Sequence, residues 1–236
     1  MSNRVFLPHT QRLITALMAV VLLCLGGATL LAQDGTEAAD ERAFSVHLQV
    51  YGVQPSRAMD NGGPFLNGLP RSGAGAGVSA QLQFGTLPIA WTMSAAWLQP
   101  GMSAPQSMLR SYAPVSTSEP WRVLPVTTGV YGSVRSTPSL AVYGTAALGL
   151  AWIDPPDVEL NAIYETGRAQ WESLTVPAWS VGAGVVIRDV LTLGVGYLGC
   201  GSHEIHGTVS SDGQPVVATT AEQSISMFHA VIGYRI

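Results

Sequence analysis

From Phe44 onward, apolar and polar residues alternate in about eight segments, the period-two pattern of strands with two distinct faces. In the first, Phe44, Val46, Leu48 and Val50 share one face, and Ser45, His47, Gln49 and Tyr51 the other. The second sets Val78, Ala80, Leu82 and Phe84 against Gly77, Ser79, Gln81 and Gln83. The third sets Ile89, Trp91, Met93, Ala95 and Trp97 against Ala90, Thr92, Ser94 and Ala96. Leu124, Val126, Val130 and Val134 mark the fourth, opposed by Thr127, Gly129, Tyr131 and Ser133. The fifth is the longest: Leu140, Val142, Gly144, Ala146, Leu148, Leu150 and Trp152 alternate with Tyr143, Thr145, Ala147 and Gly149. Trp179 to Ile187 and Leu191 to Tyr197 supply the sixth and seventh. The eighth runs to the end as Phe228, Ala230, Ile232, Tyr234 and Ile236, with His229, Val231, Gly233 and Arg235 on its other face.

The connections alternate in length. A long Gly-, Pro-, Asn- and Arg-rich stretch follows Val53, whereas only Gly85-Thr86-Leu87-Pro88 joins the second and third strands. The long stretches Gln99 to Arg122, Ile153 to Val176 and Cys200 to Gln223 are interleaved with tight turns at Arg135-Ser136-Thr137-Pro138 and Arg188-Asp189-Val190. Long outer loops and short periplasmic turns, with both chain ends on the periplasmic side, are the connectivity of a transmembrane barrel. The expected fold is therefore all-β: an eight-stranded antiparallel up-and-down transmembrane β-barrel over residues 44–236. An additional hairpin within Ile153 to Val176 would change that strand count.

Charge placement separates a membrane barrel from a soluble one. Charged residues make up 11% of the chain, against about 25–35% of an ordinary soluble surface. None of the 11 basic and 15 acidic residues falls within spans such as Val46–Val53, Gly75–Phe84 or Ser139–Trp152. A lipocalin-like barrel or a sandwich would alternate too, but its outward face would need charges to stay in water. Here the polar face is Gly, Ser, Thr, Gln and Tyr, which suits a lumen. Aromatic residues cluster toward both ends: Phe44, Phe84, Trp91 and Tyr234 at the expected periplasmic rim, and Trp97, Trp152 and Trp179 at the outer one. That is the arrangement of two interfacial girdles. The net charge of -4 argues against a nucleic-acid binder, which needs a basic face.

The amino terminus reads as a signal peptide over residues 1–32. Arg4, His9 and Arg12 precede an unbroken apolar run from Leu13 to Leu31, closed by Ala32. An apolar run of that length also approaches what a retained transmembrane anchor needs, but Gly26, Gly27 and the acidic stretch that follows favour cleavage. Leu23 before Cys24 is too bulky for a lipoprotein signal. A short acidic segment, 33–43, would then lead into the barrel. Cys200 would be the only cysteine of the exported chain, so no intrachain disulfide forms.

The run Leu124-Pro125-Val126-Thr127-Thr128-Gly129-Val130-Tyr131, followed by Ala141 through Leu150, resembles paired strands of the outer-membrane-protein β-barrel domain family, the OmpA/OmpX-like small barrels. Val181-Gly182-Ala183-Gly184-Val185 fits the same picture. The closing Ile232-Gly233-Tyr234-Arg235-Ile236 is similar to the terminal strand signal read by the barrel-assembly machinery, although Ile236 replaces the commoner terminal Phe. The resemblance implies an outer-membrane location and biogenesis through periplasmic chaperones and that machinery. It implies no single activity.

Motifs with chemistry are few. Ser202-His203-Glu204-Ile205-His206 has the residue types of a zinc site, with Asp212 as a further ligand, or of a Ser/His/acid hydrolase. Yet His203 and His206 are three apart, a spacing that faces one way on a helix but not on a strand. That segment is expected to be a solvated loop. His47 and His229 fall on lumen faces of the first and last strands, as polar groups bonded to Gln49, Gln81 or Tyr143. Gly75-Ala76-Gly77 and Gly182-Ala183-Gly184 lie in strands with no following helix and relieve crowding in a narrow barrel rather than cradle phosphate. Catalytic, cofactor-binding and metal residues are therefore expected to be none, with no cofactor.

The leading functional expectation is a structural or surface-interaction barrel with long extracellular loops. Its eight-stranded lumen is too narrow for a general pore. Its expected partners are outer-membrane lipids, lipopolysaccharide and an extracellular partner at the loops. Two rivals belong to other classes: a barrel enzyme acting on acyl chains of lipid A or phospholipid, and a narrow channel or carrier for small apolar molecules.

Overall fold

The computed structural model describes residues 44–56, 69–83, 87–103, 116–117, 120–161, 166–211 and 216–236. The expected signal peptide, the acidic segment 33–43, Phe84 and Asp212 lie outside the described residues.

Eleven strands are described: β1 (Phe44–Pro55), β2 (Leu69–Gln83), β3 (Ile89–Ser103), β4 (Ser116–Thr117), β5 (Arg122–Thr137), β6 (Leu140–Asp154), β7 (Val158–Asn161), β8 (Thr166–Trp171), β9 (Leu174–Ile187), β10 (Leu191–Ser211) and β11 (Val217–Arg235). Eight of them, β1, β2, β3, β5, β6, β9, β10 and β11, pair antiparallel with their neighbours in chain order. β11 then hydrogen-bonds both β10 and β1, which closes the ring. Closure leaves no lipid-facing edge with unsatisfied N–H and C=O groups, each of which would cost several kcal/mol in a bilayer.

The faces are those that the alternation predicts. Val134 and Leu148 are each 70% exposed, and Val50, Val142, Val195, Phe228 and Ile232 stand on the same outer surface. Ser45, His47, Ser79, Thr92, Thr127 and Thr192 are buried inside. A belt of exposed aliphatic side chains around a polar interior is stable only in hydrocarbon, so the barrel spans a bilayer.

Two features differ from expectation. The ring strands run to 21 residues in β10 and 19 in β11, about twice the ~9–11 residues that a tilted strand needs to cross a bilayer. The expected solvated loop Cys200 to Gln223 is instead a paired hairpin over its described residues, with Gly201↔Ile225 through Val209↔Val217 in register. The additional hairpin within Ile153 to Val176 also exists, as β7 and β8, but it stands outside the ring. β8 docks on the far part of β10 from Gly207↔Trp171 to Ser211↔Gly167, and β4 adds to β7. The cause is geometric. β9 leaves β10 at Gly199↔Trp179, and the long β10 would otherwise present a bare edge beyond that point.

Candidate functional site

The inward face of the barrel changes character along its length. In the half next to the short turns it is polar. Tyr51 donates to Gln49 Oε1 at 2.6 Å. The Ser94 and Thr127 hydroxyls meet at 2.8 Å, and Ser45 and His47 at 3.3 Å. Tyr131 stacks on Tyr143 with ring centroids 5.4 Å apart, and Tyr51 meets His229 edge-on at 5.5 Å. Large side chains fit in so narrow a lumen because glycines face them. A Cβ on Gly184 would fall 2.7 Å from Tyr143 Cε1, and one on Gly196 only 2.5 Å from His229 Nε2. A cavity of about 110 Å³ remains at the centre, lined by His47, Gln81, Thr145, Ser180 and Thr192 among others.

Below it the lumen opens into a vestibule of about 550 Å³ at the short-turn end, lined by Ser45, His47, Gln83, Ser133, Arg135, Asp189 and Arg235 among others. Arg188 and Asp189, the central residues of the β9–β10 turn, have φ of 53° and 57°. This is the primed-turn geometry that matches strand twist, reached here without glycine. One guanidinium nitrogen of Arg135 lies 2.9 and 2.7 Å from the two Asp189 carboxylate oxygens and ties that turn to β5.

The far half of the same face is apolar. Val53, Leu98, Val123, Ala151, Ile153, Val176, Leu198, Ile205, Ile225 and Met227 pack into one buried cluster with Trp121 and Trp171. Val123, Ile153, Ile225 and Met227 have no exposed surface at all. This plug draws its side chains from β1, β3, β5, β6, β9, β10 and β11, and from the β8 hairpin. Over the same stretch the outward face turns polar, with Gln54, Gln99, Thr175, Glu204, His206, Thr220 and Glu222 all exposed. The changeover is marked by aromatic contacts: Trp97 with Trp152 at 6.5 Å, Trp179 with Tyr197 at 5.2 Å and Tyr197 with Phe228 at 5.0 Å. Trp97, Trp152 and Trp179 thus share the level expected of a girdle, whereas the plug has no place in the expected lumen. Its signal is present in the sequence nonetheless, since β-strand alternation continues past each Trp with apolar and polar positions exchanged.

The residues singled out in the sequence do not converge. A bulge between Gly199 and Gly201, with Gly201 at φ 77°, shifts the β10 register. Leu198 and Cys200 face inward before it; His203 and Ile205 do so after it. The His203 ring nitrogen bonds the Cys200 carbonyl. Glu204 and His206 stand on opposite faces from their neighbours, exposed on the outside, so His203 and His206 point to opposite sides of the strand. His47 and His229 do not form a pair. His47 is in register with Arg235, whereas His229 is in register with Val53, six residues or ~20 Å further along the wall. Among the described residues no group of three metal-ligating side chains is assembled.

Above the aromatic level, β10, β11, β8, β7 and β4 form a small sheet. Arg168 pairs with Asp157 at 2.7 Å, and Arg122 with Asp154 at 3.1 Å between β5 and β6. Glu204 and Glu222 are in register across β10 and β11, both outward, so this face carries adjacent negative charges.

No family model matches the chain, and no curated protein is similar to it in sequence. Solved structures are similar in fold. A major outer membrane protein from Thermus thermophilus aligns with a TM-score of 0.51 at 8% identity, covering 82% of this chain and 100% of that one. Neisserial surface protein A aligns at 0.47 and 13% identity, covering 82% and 97%. Ail, the attachment invasion locus protein of Yersinia pestis, aligns at 0.40 and 12%, covering 83% and 99%. The fold is that of the small bacterial outer-membrane β-barrels.

Proposed function

We propose that this chain is a non-conducting, non-enzymatic barrel of the outer membrane that works through its outer surface. The observation that carries this reading is the apolar plug. Side chains with no exposed surface, Val123, Ile153, Ile225 and Met227, close the lumen to ions and polar solutes. A carrier needs a continuous path along the barrel, and the plug interrupts it. An acyl-modifying enzyme needs a nucleophile, a base and an acid aimed at one point, and Ser202, His203 and Glu204 alternate between faces.

What remains is the folded sheet beyond the girdle. It is built from paired strands rather than free loops, and it has a polar, acid-rich exterior. Such a platform suits an external partner that presents positive charge, while outer-membrane lipids and lipopolysaccharide meet the apolar belt below it. On this reading the short turns and both ends of the barrel face the periplasm. Residues 1–32 act as the export signal, and chaperones and the barrel-assembly machinery are partners in biogenesis.

Planar-bilayer recording tests the central claim. The refolded protein is expected to give no conductance steps, whereas a triple Ile153→Gly, Ile225→Gly, Met227→Gly variant is expected to open a measurable leak. Steady conductance from the unaltered chain would overturn the reading.

A further inference from the structure

An open groove of about 460 Å³ interrupts the outer wall where β10, β11, β1 and β2 adjoin. Its floor is Gly52 and Ala230, in register across β1 and β11, with Val195 beside Ala230 on β10. At Gly52 the wall carries no side chain, and a Cβ there would meet nothing within 4 Å. Phe228 stands at one end of the groove, its ring edge-on to Tyr197 with centroids 5.0 Å apart. Gln54 is in register with Phe228, and the Ser72 hydroxyl donates to Gln54 Oε1. That leaves the amide N–H groups of Gln54 as donors at this end. Phe228 and Tyr197 belong to the aromatic level that includes Trp179. The Gly52–Ala230 floor therefore lies two residues, roughly 7 Å, further along the strands on the hydrocarbon side.

We propose that this groove seats one acyl chain of a lipid A molecule, with the polar linkage of that chain at Gln54 and Ser72. The inference rests on the orientation proposed above, which puts the Trp179 level in the outer leaflet, where lipopolysaccharide is the lipid. The occupant's chemistry follows from the place. Water does not fill a recess in hydrocarbon, and an unfilled one forfeits the dispersion contacts of its lining. The convex wall of a narrow barrel touches a lipid chain on one side only. Here the floor, Val195 and Phe228 surround it on several, which offsets the entropy lost in holding it still. Acyl chains of lipid A join a sugar through amide and ester carbonyls, which accept from the Gln54 amide. The acidic platform does not oppose its phosphates. Glu222 is six residues beyond Phe228 on β11, or ~20 Å, well past the screening length at physiological salt.

Photolabelling tests the seat. The full exported chain is reconstituted in dioleoylphosphatidylcholine vesicles containing a trace of lipid A with a diazirine on its acyl chain, or of phosphatidylcholine with the same group. Adducts are mapped by mass spectrometry at Val195, Phe228 and Ala230, and at Val130, which is equally lipid-facing on β5. The ratio of groove to Val130 adducts is expected to be several-fold higher with the lipid A probe than with the phosphatidylcholine probe. Gly52→Leu, which fills the floor, is expected to abolish that excess, and Gln54→Leu to reduce it. Heat-modifiable migration of each variant verifies that the barrel has formed. Equal ratios with the two probes would overturn the proposal, since they mark ordinary surrounding lipid. So would an excess that Gly52→Leu leaves unchanged. Each probe is present in both leaflets, so the outcome is independent of barrel orientation and of the conductance that tests the proposed role.

Discussion

The two halves of this barrel are made by the same strands and follow opposite rules. Next to the short turns, Leu48, Val50, Val142 and Ile232 point out and His47, Gln49, Tyr143 and Thr192 point in. Past the aromatic contacts, Gln54, Glu204, His206 and Glu222 point out, and Val53, Ile205, Ile225 and Met227 point in. Backbone pleat and ring closure are common to both halves. What changes is the solvent outside, hydrocarbon for one half and water for the other. In the first half the walls are held by the closed ladder of backbone hydrogen bonds, because lipid is as apolar as any core and burial against it drives nothing. In the second, removal of apolar surface from water supplies the driving force, as in a soluble sandwich. The comparison teaches that an alternating strand has no intrinsic inside; the surrounding medium chooses it.

The largest test of this contrast is a charge on the outward face. Val142→Arg or Leu193→Arg places a guanidinium on the lipid-facing side, where the cost rises toward about 2–4 kcal/mol at mid-bilayer, and is expected to impair heat-modifiable barrel formation. Thr220→Arg, on the outward face of β11 beyond the girdle, is expected to leave assembly unchanged, and Thr145→Arg in the lumen to be intermediate. Equal effects at Val142 and Thr220 would erase the boundary between the halves.

Cavity creation reads the same contrast from inside. Ile153→Ala in the plug is expected to cost about 2–5 kcal/mol in reversible unfolding by denaturant. The comparable truncation Val142→Ala is expected to cost well under ~1 kcal/mol, since lipid fills the space. Smaller than the plug cavity is the effect that separates crowded from open glycines. Gly196→Ala is expected to destabilise by about 1–3 kcal/mol through overpacking against His229 and the Val181 carbonyl, and His229→Ala is expected to relieve it in part. Gly52→Ala, where no atom lies within 4 Å of the added Cβ, is expected to have no such effect.

Much of the ring was legible because the period of two is local. Leu140 to Trp152 shows its two faces with no knowledge of any partner, and the short turns identify which neighbours pair. The far half was not legible as structure for a related reason. His203, Ile205, Gly207 and Val209 alternate like any strand, but they are dense in Gly, Ser and His, and they follow a bulge at Gly199/Gly201 that shifts the inward set by one. That shift is set by the positive φ of Gly201 and by the pairing of β11 across it. Likewise Ala169 and Trp171 carry no signal of burial until β8 has β10 to lie against. The vestibule joins Arg135 of β5, Asp189 of the β9–β10 turn and Arg235 of β11, residues brought together only by closure of the ring.

By itself, the sequence determined that the chain would form strands, which side of each faces lipid, and that this lipid-facing band would be free of charge. These follow from the fixed pleat of the backbone and the cost of ions in hydrocarbon. Only the tertiary structure decided that Ile153, Ile225 and Met227 gather in one buried cluster toward one end of the barrel, and that Arg235 lines a cavity at the other. Both depend on which inward side chains from eight separate strands arrive at the same height, and that is fixed by register and closure rather than by any local pattern.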